Sequence, residues 1–371
     1  MQKTFNVSGN AYTVQVDQSV SEVNQNSIST DKQPMLYCSS GDFPLYDSFL
    51  YDQMTADRPR TEIYELEIQA QVRGKTVVDI GTGAHANWAI LAAESGATKV
   101  YAIETIESSY KAALQVINNS AHADQIVLFH GLSTDVILPE RVDICVSEIL
   151  GCPISSEGVA AVLADARKRF LKDSGSFIID TCTSRIAACR LSDEFRGRLG
   201  VHESDISYLN SVFSAVGRPF DIRMVIDNFP KDWIVSTEGN AEAFHFNADF
   251  SPNQTSEGCL TITQDTRVDG IAGWINIKGG PNSPTLDTLR TRTTWLPIFH
   301  PVFYPGIQLK KGDEIRYTAA TYTSTDPINP DYSIIGTIER KGEVLECFEF
   351  YSPFISNQYR DSDFYKAIFP G

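Results

Sequence analysis

Four acidic residues, Asp79, Glu104, Glu148 and Glu157, stand at places in the chain where a carboxylate does chemistry. Asp79 closes the apolar run Val77-Val78-Asp79-Ile80, and the turn Gly81-Thr82-Gly83 follows at once. A strand that runs through a glycine turn into a helix brings free backbone N–H groups close to a ligand. Glu104 closes the next apolar run, from Lys99, at the strand end where an acid binds a ribose hydroxyl pair. Glu148 ends a third run from Val142, and Glu157 follows after a loop of eight residues that holds Gly151 and Pro153. Each of these last two acids has a plain reading: Glu148 a solvated strand end, Glu157 a first-turn helix acid favoured by the dipole. Together they match one planar cation, because a guanidinium offers five donors in a fixed fork. Arg60, just ahead of the first strand, can pair bidentately with a carboxylate.

The elements that must hold these residues follow from periodicity. Residues 46–70 carry a helical pattern with Tyr51 and Met54 on it, and Asp57 before Pro59 marks a break and restart. Helices over 85–95 and 107–119 alternate with strands over 77–80, 98–104, 125–129 and 142–148, which argues a parallel, doubly wound sheet. Such sheets bind ligands at the carboxyl ends of their strands, so Asp79, Glu104 and Glu148 converge on one crevice. From Ile234 onward, short alternating runs separated by Asn, Gly and Pro clusters fit an antiparallel barrel or sandwich. Residues 3–16 read as a hairpin around Ser8-Gly9, residues 17–35 as a linker, and Gly336 to Leu345 as a second hairpin. The aromatic tail after Pro353, with Tyr359, Phe364, Tyr365 and Phe369, should pack onto the body.

Composition narrows the partners. The 371 residues suffice for two domains, and 42% of them are hydrophobic, enough for a sizeable core. A net charge of −16 argues against nucleic acid and anionic membranes as partners and suits a cationic substrate. The seven cysteines form no CxxC pair and are odd in number, which reads as reduced thiols in a cytoplasmic protein, and no metal-ligand spacing is present. No apolar run is long enough to span a bilayer, and the start carries no secretory-signal pattern.

From Tyr46 to Phe350 the chain resembles the protein arginine methyltransferase family, whose members move a methyl group from S-adenosylmethionine to a guanidino nitrogen. Val77 to Gly83 resembles the family's first motif, Ile103-Glu104 its ribose-binding acid, and Asp57-Arg58-Pro59-Arg60-Thr61 the segment whose arginine holds the methionine carboxylate. A GxG turn alone fits many nucleotide folds; the glutamate pair Glu148 and Glu157 in register with it is specific. Thr291 to Phe299 resembles the family's substrate-side Thr-His-Trp loop. The sequence departs from the pattern in three places. Thr294 replaces the histidine that usually contacts the acid matched by Asp57. The third glycine of the turn is missing, with His85 beside it. Ser133-Thr134-Asp135 stands where the family has an acidic adenine contact, and which of the three takes that role is open.

The resemblance implies a Rossmann-like methyltransferase domain over 38–180, after an N-terminal hairpin and linker over 1–37, and a mainly antiparallel β-barrel domain over 181–371. It implies S-adenosylmethionine as cofactor, held by Arg60, Asp79, Gly81, Gly83, Glu104, Thr134 and Met54. Glu148 and Glu157 would grip the guanidinium, Asp57 would relay a proton, and Tyr51, Thr294 and Trp295 would wall the substrate pocket. An arm over 192–230 would contact a second subunit in a homodimer. The glutamate loop lacks the aromatics often seen in the family, so a peptide or protein arginine and a small guanidine such as free arginine or agmatine both stay open. A catalytically silent scaffold is opposed by the intact acids. A nicotinamide dehydrogenase needs the fuller GxGxxG turn and explains neither Arg60 nor the glutamate pair.

Overall fold

Ser8 and Gly9 take φ of 49° and 83°, the positive pair that a two-residue hairpin turn requires, and they join β1 (Gln2–Val7) to β2 (Asn10–Gln15). The computed structural model describes residues 1–17, 33–39, 48–326, 328–356 and 362–370, and for residues 48–51 the backbone alone. Most of the linker read over 17–35, the side chain of Tyr51, and Tyr359 lie outside the described residues. After β3 (Met35–Ser39) come α1 (Ser48–Ala56) and α2 (Arg58–Gln71). Asp57 separates the two helices: its side chain accepts from the Arg60 N–H at 3.3 Å, and Pro59 fits the first turn of α2, where no N–H is needed.

The next stretch alternates as its periodicity predicts. It runs β4 (Thr76–Ile80), α3 (Asn87–Glu94), β5 (Lys99–Glu104), α4 (Glu107–Asn118), β6 (Ile126–His130), β7 (Val142–Ser147), α5 (Val159–Arg169) and β8 (Leu171–Ile178). The five strands form one parallel sheet in the order β6-β5-β4-β7-β8. Both faces are covered, so Val77, Val78, Val100, Ala102, Ile144 and Val146 are completely buried. Chain order reverses between β4 and β7, and a crevice opens there at the strands' carboxyl ends. Helix α3 starts at Asn87, two residues later than the pattern suggests. Ala86 precedes it at φ 49°, a left-handed residue where glycine would be free of strain.

The second half contains β9 (Thr181–Cys189), α6 (Asp193–Gly197), α7 (Asp205–Val216), β10 (Arg223–Asp227), β11 (Gly239–His245), β12 (Gln254–Thr261), β13 (Thr266–Val268) and β14 (Gly270–Lys278). It continues with β15 (Thr285–Asp287), β16 (Ile298–His300), β17 (Ile307–Leu309), β18 (Glu314–Thr323), β19 (Pro330–Arg340), β20 (Glu343–Ser352) and α8 (Asp363–Ile368). Every pairing between these named strands is antiparallel. One sheet runs β11-β9-β14-β16-β10-β3 with β15 on β14, and a second runs β12-β18-β19-β20. They enclose an apolar interior that includes Ile186, Val268, Ile271, Ile315 and Ile338, so a parallel α/β domain is followed by an antiparallel, barrel-type β domain.

Two expectations change. Strand β3 pairs with β10, so a boundary between residues 37 and 38 would cut through a strand of the second half's own sheet. Its partner lies far along the chain, beyond what local pattern can see. The segment 192–230 does not project as an arm with a free apolar face. Leu209, Val212 and Phe213 of α7 are fully buried against the hairpin and α8 of the same chain. Phe213 meets the Tyr12 ring edge-on at 5.0 Å, Phe220 at 5.3 Å and Phe369 at 6.4 Å. Removing that ring should leave a cavity in this third core. We expect Phe213→Ala to lower the unfolding free energy by roughly 3–5 kcal/mol in urea titration; a loss under about 1 kcal/mol would mean the hairpin does not pack there.

Candidate active site

Two clefts meet at one wall. The inner cleft, about 1160 Å³ and open to solvent, lies at the carboxyl ends of the parallel strands. Gly81, Gly83, Glu104, Ser133, Thr134, Glu148 and Glu157 line it, and Asp135 does not. Gly81 sits at φ 77°, and a Cβ there would stand 2.8 Å from Ile149 Cγ2, so only glycine lets the turn pass beneath the glutamate loop. The outer cleft, about 1790 Å³, lies against the β domain and is lined by Tyr37, Cys38, Asp205, Tyr208, Thr294 and Trp295 among others. Met54, Arg60 and Glu157 line both.

Glu104 is held at the inner cleft by backbone. The Gly83 N–H donates to its Oε2 at 2.8 Å and the Ile106 N–H to its Oε1 at 2.7 Å. Burial pushes its carboxyl up, and these amides oppose that. Each oxygen keeps a lone pair for a further donor such as a ribose hydroxyl. Helix α1 is tied to the glycine turn by His85 Nε2 against Asp52 Oδ1 at 3.2 Å and by Asn87 Nδ2 donating to Thr55 Oγ1 at 3.1 Å.

The wall centres on Arg60, which is only 6% exposed. Its Nη2 pairs closely with Glu148 Oε2, its Nη1 donates to Thr294 Oγ1 at 2.8 Å, and its Cζ lies 4.5 Å from the centre of the Trp295 ring. Burial works against the charged guanidinium, but Glu148 first and Glu157 second outweigh it and hold it above its ordinary value. Glu148 Oε1 is buried with no partner. Trp295 is both core and wall: its ring is buried and its Nε1 donates to the Leu150 carbonyl at 2.7 Å.

Two sequence readings need correction. Asp79 does not face the crevice. It is fully buried beneath the turn, where Oδ2 accepts from Thr82 Oγ1 at 3.0 Å and Oδ1 has no partner. A strand covered on both faces turns even its last side chains inward. Asp57 lines neither cleft. Its Oδ1 caps α2, and its Oδ2 accepts from Thr294 N at 2.5 Å and Thr294 Oγ1 at 2.9 Å, so it braces the loop and reaches the outer cleft only through Thr294. Thr294 therefore keeps, through a hydroxyl and an amide, the contact that its lack of an imidazole put in question. Sequence reasoning missed Trp88, Ile106 and Ile328 of the inner cleft and Tyr37, Cys38, Asp205 and Tyr208 of the outer. Only Ile106 carried a signal, two residues past a strand-ending acid; β3 and α7 reach the site through tertiary packing. Among the described residues no group of three or more His, Cys, Asp or Glu could hold a metal ion, and no helix is long and apolar enough to cross a membrane.

Comparison with known proteins agrees with this geometry. Residues 61–185 match the family described as ribosomal protein L11 methyltransferase. A probable protein arginine N-methyltransferase 6 of Arabidopsis thaliana is 28% identical over 176 residues, 46% of this chain and 40% of that protein. A probable histone-arginine methyltransferase 1.3 of the same plant is 33% identical over 63% of this chain and 46% of its own length. The chain thus spans less than half of either relative. Among solved structures, Arabidopsis thaliana protein arginine methyltransferase 10 superposes with a TM-score of 0.68 at 20% identity, covering 84% of this chain and 99% of that one. A Trypanosoma brucei enzyme–prozyme complex of the same kind, with AdoHcy, gives 0.67 at 18% identity, with the same coverage. The fold is that of the protein arginine methyltransferases.

Burial lifts the Asp79 carboxyl to about 7, with Thr82 opposing and Glu104 reinforcing. A carboxyl raised in the folded state favours folding while protonated. That advantage is complete below the ordinary value of 3.8 and is lost as pH rises through about 7. We expect Asp79→Asn to gain stability over the parent between pH 4 and 8, by on the order of 4 kcal/mol. Chemical denaturation of both proteins across that range measures the difference; a pH-independent gap would show that Asp79 keeps its ordinary affinity for protons.

Proposed function

We propose that this relative of the protein arginine methyltransferases transfers a methyl group from S-adenosylmethionine to a guanidino nitrogen. The observation that carries the reading is the wall between the clefts. There Glu148 already grips one guanidinium, that of Arg60, and keeps a second buried oxygen without a partner, while Glu157 faces both sides. The inner cleft also fits S-adenosylmethionine: Glu104 stands where the ribose hydroxyls would lie, Arg60 can face a carboxylate, and the excess of carboxylates suits a sulfonium.

S-adenosylmethionine, when bound, supplies a methyl carbon activated by positively charged sulfur. Glu148 and Glu157 hydrogen-bond the substrate guanidinium and align its free nitrogen with the inner cleft. They draw positive charge toward the nitrogens they hold and offset the repulsion between two cations. The guanidinium proton can leave after the nitrogen–carbon bond forms, so no strong base is needed. Met54 and Trp295 narrow the passage. Arg60 is the only cation among the described residues of the outer cleft, so nothing there balances a free α-carboxylate. This favours a peptidyl arginine, or agmatine, over free arginine. The set of Glu104, Glu148 and Glu157 along one cleft weighs against a silent scaffold. We also propose a homodimer, through the outer side of α7 because its apolar side is filled in cis, and a cytoplasmic location, which seven unpaired thiols support.

The test is incubation with S-adenosylmethionine and an arginine-rich peptide, agmatine or free arginine, read as added methyl mass. Transfer to peptide or agmatine should exceed transfer to free arginine about tenfold or more; no transfer to any of them rejects the proposal. Glu148→Gln and Glu157→Gln should each cut turnover by roughly a hundredfold while S-adenosylmethionine still binds. Near-normal turnover in both would remove the grip from the mechanism. Sedimentation of the purified chain at micromolar concentration should show a dimer, and a monomer would reject the assembly.

A further inference from the structure

We propose that Glu242, deep in the β domain, is a positioning residue for the glutamate loop, acting on Glu157 through Ser155. The inference rests on the guanidino-methyltransferase reading above. Glu242 lies on β11 and is 1% exposed. Among the described residues no cation pairs with it. Its donors are all hydroxyls: Ser155 Oγ closely and Thr321 Oγ1 at 3.0 Å to Oε1, and Ser184 Oγ at 2.6 Å to Oε2. A buried carboxylate without a cation is costly, and partial satisfaction by hydroxyls does not remove that cost. Its stabilising partners identify what it holds.

Two of the three donors belong to the loop or grip it. Ser155 is in the single helical turn Ile154–Glu157 that ends on the second glutamate. Ser184 accepts from the Ile154 N–H at 3.0 Å while it donates to Glu242. An ionised carboxylate accepts only, so Ser155 must spend its one proton on Glu242. The Tyr332 hydroxyl, 2.8 Å from Ser155 Oγ, must then donate to Ser155. One carboxylate therefore orients the Ser155, Ser184 and Thr321 hydroxyls and, through Ser155, that of Tyr332. The loop has little slack to move otherwise. A Cβ on Gly151 would lie 1.9 Å from Ser156 Oγ, and one on Gly158 would lie 2.1 Å from Ile328 Cγ2. Fixing Ser155 from behind fixes the turn two residues before Glu157, on the side away from both clefts.

The experiment compares Ser155→Ala, Glu242→Gln, their double variant and Thr321→Val, a donor to the same carboxylate that lies off the loop. Ser155→Ala should lower kcat about tenfold or more and leave KM for S-adenosylmethionine within about twofold. Glu242→Gln, whose amide can accept on one side only, should do the same, and the double variant should fall no further than the worse single one. Thr321→Val should lose thermal stability and keep kcat within about twofold of the parent. Amide hydrogen exchange of the full chain should rise at Ile154 and Glu157 in Ser155→Ala and stay unchanged there in Thr321→Val. Parental kcat in Ser155→Ala, additive losses in the double variant, or equal kcat losses in Ser155→Ala and Thr321→Val would overturn the proposal. If the parent transfers no methyl group, the functional reading fails by itself. The exchange data then decide the loop support alone, and unchanged exchange overturns it.

Discussion

A buried pair of opposite charges, Arg60 against Glu148, stands where the clefts meet, and Arg60 reaches from it to Thr294 in the second half of the molecule. Taking both groups out of water is expensive, and their attraction repays it only where further hydrogen bonds complete the geometry. Here Thr294 supplies one bond and the Trp295 ring covers the guanidinium face, so a helix start, a strand end and a β-domain loop are held by one cation. The loop bearing Thr294 is itself pinned to the break between α1 and α2 through Asp57. The wall between cofactor side and substrate side is therefore built from segments that share no sequence neighbourhood. Its rigidity depends on the charge at its centre.

What was legible in the sequence is what depends on neighbours in the chain. The break at Asp57, the turn at Ser8-Gly9 and the acids at strand ends follow from capping, positive φ and the topology of parallel sheets. The Glu148–Glu157 spacing could be read because one short loop fixes both ends. The direction of Asp79 could not be read by the same logic. A strand end faces the crevice or the core according to which side the covering helices leave open, and that is decided by packing. The outer cleft was least legible, because β3 and α7 reach it from distant positions. Cys38 N donates to Asp205 across that cleft's lining, a bond between residues 167 apart in the chain.

The fate of α7 shows the same limit from the other side. A segment rich in Leu209, Val212 and Phe213 must bury that face against something. Composition cannot say whether the cover is a second chain or the same one. The hairpin and α8 provide it within the chain, with Tyr12, Phe369 and Phe213 interlocked. This leaves Ser207, Tyr208 and Ser211 of α7, with Ser204 just before it, to form a side of the outer cleft.

Buried carboxylates in this protein sort by how fully they are bonded. Glu67 is completely buried and accepts from the Asn282 and Ser283 amides at 2.8 and 2.6 Å, from Asn282 Nδ2 at 3.0 Å and from Gln71 Nε2 at 2.8 Å. These bonds hold its carboxyl below the ordinary range although burial pushes the other way. It is a fastener between α2 and the β domain, with no capacity left for a ligand. Glu148 is slightly less buried, its side chain 11% exposed, and its Oε1 has no side-chain or backbone partner of good geometry within the protein. Glu242 falls between them, with both oxygens occupied but only by hydroxyls, which can reorient where backbone amides cannot. The fully bonded acid fastens the scaffold, and the hydroxyl-bonded one sits behind the glutamate loop.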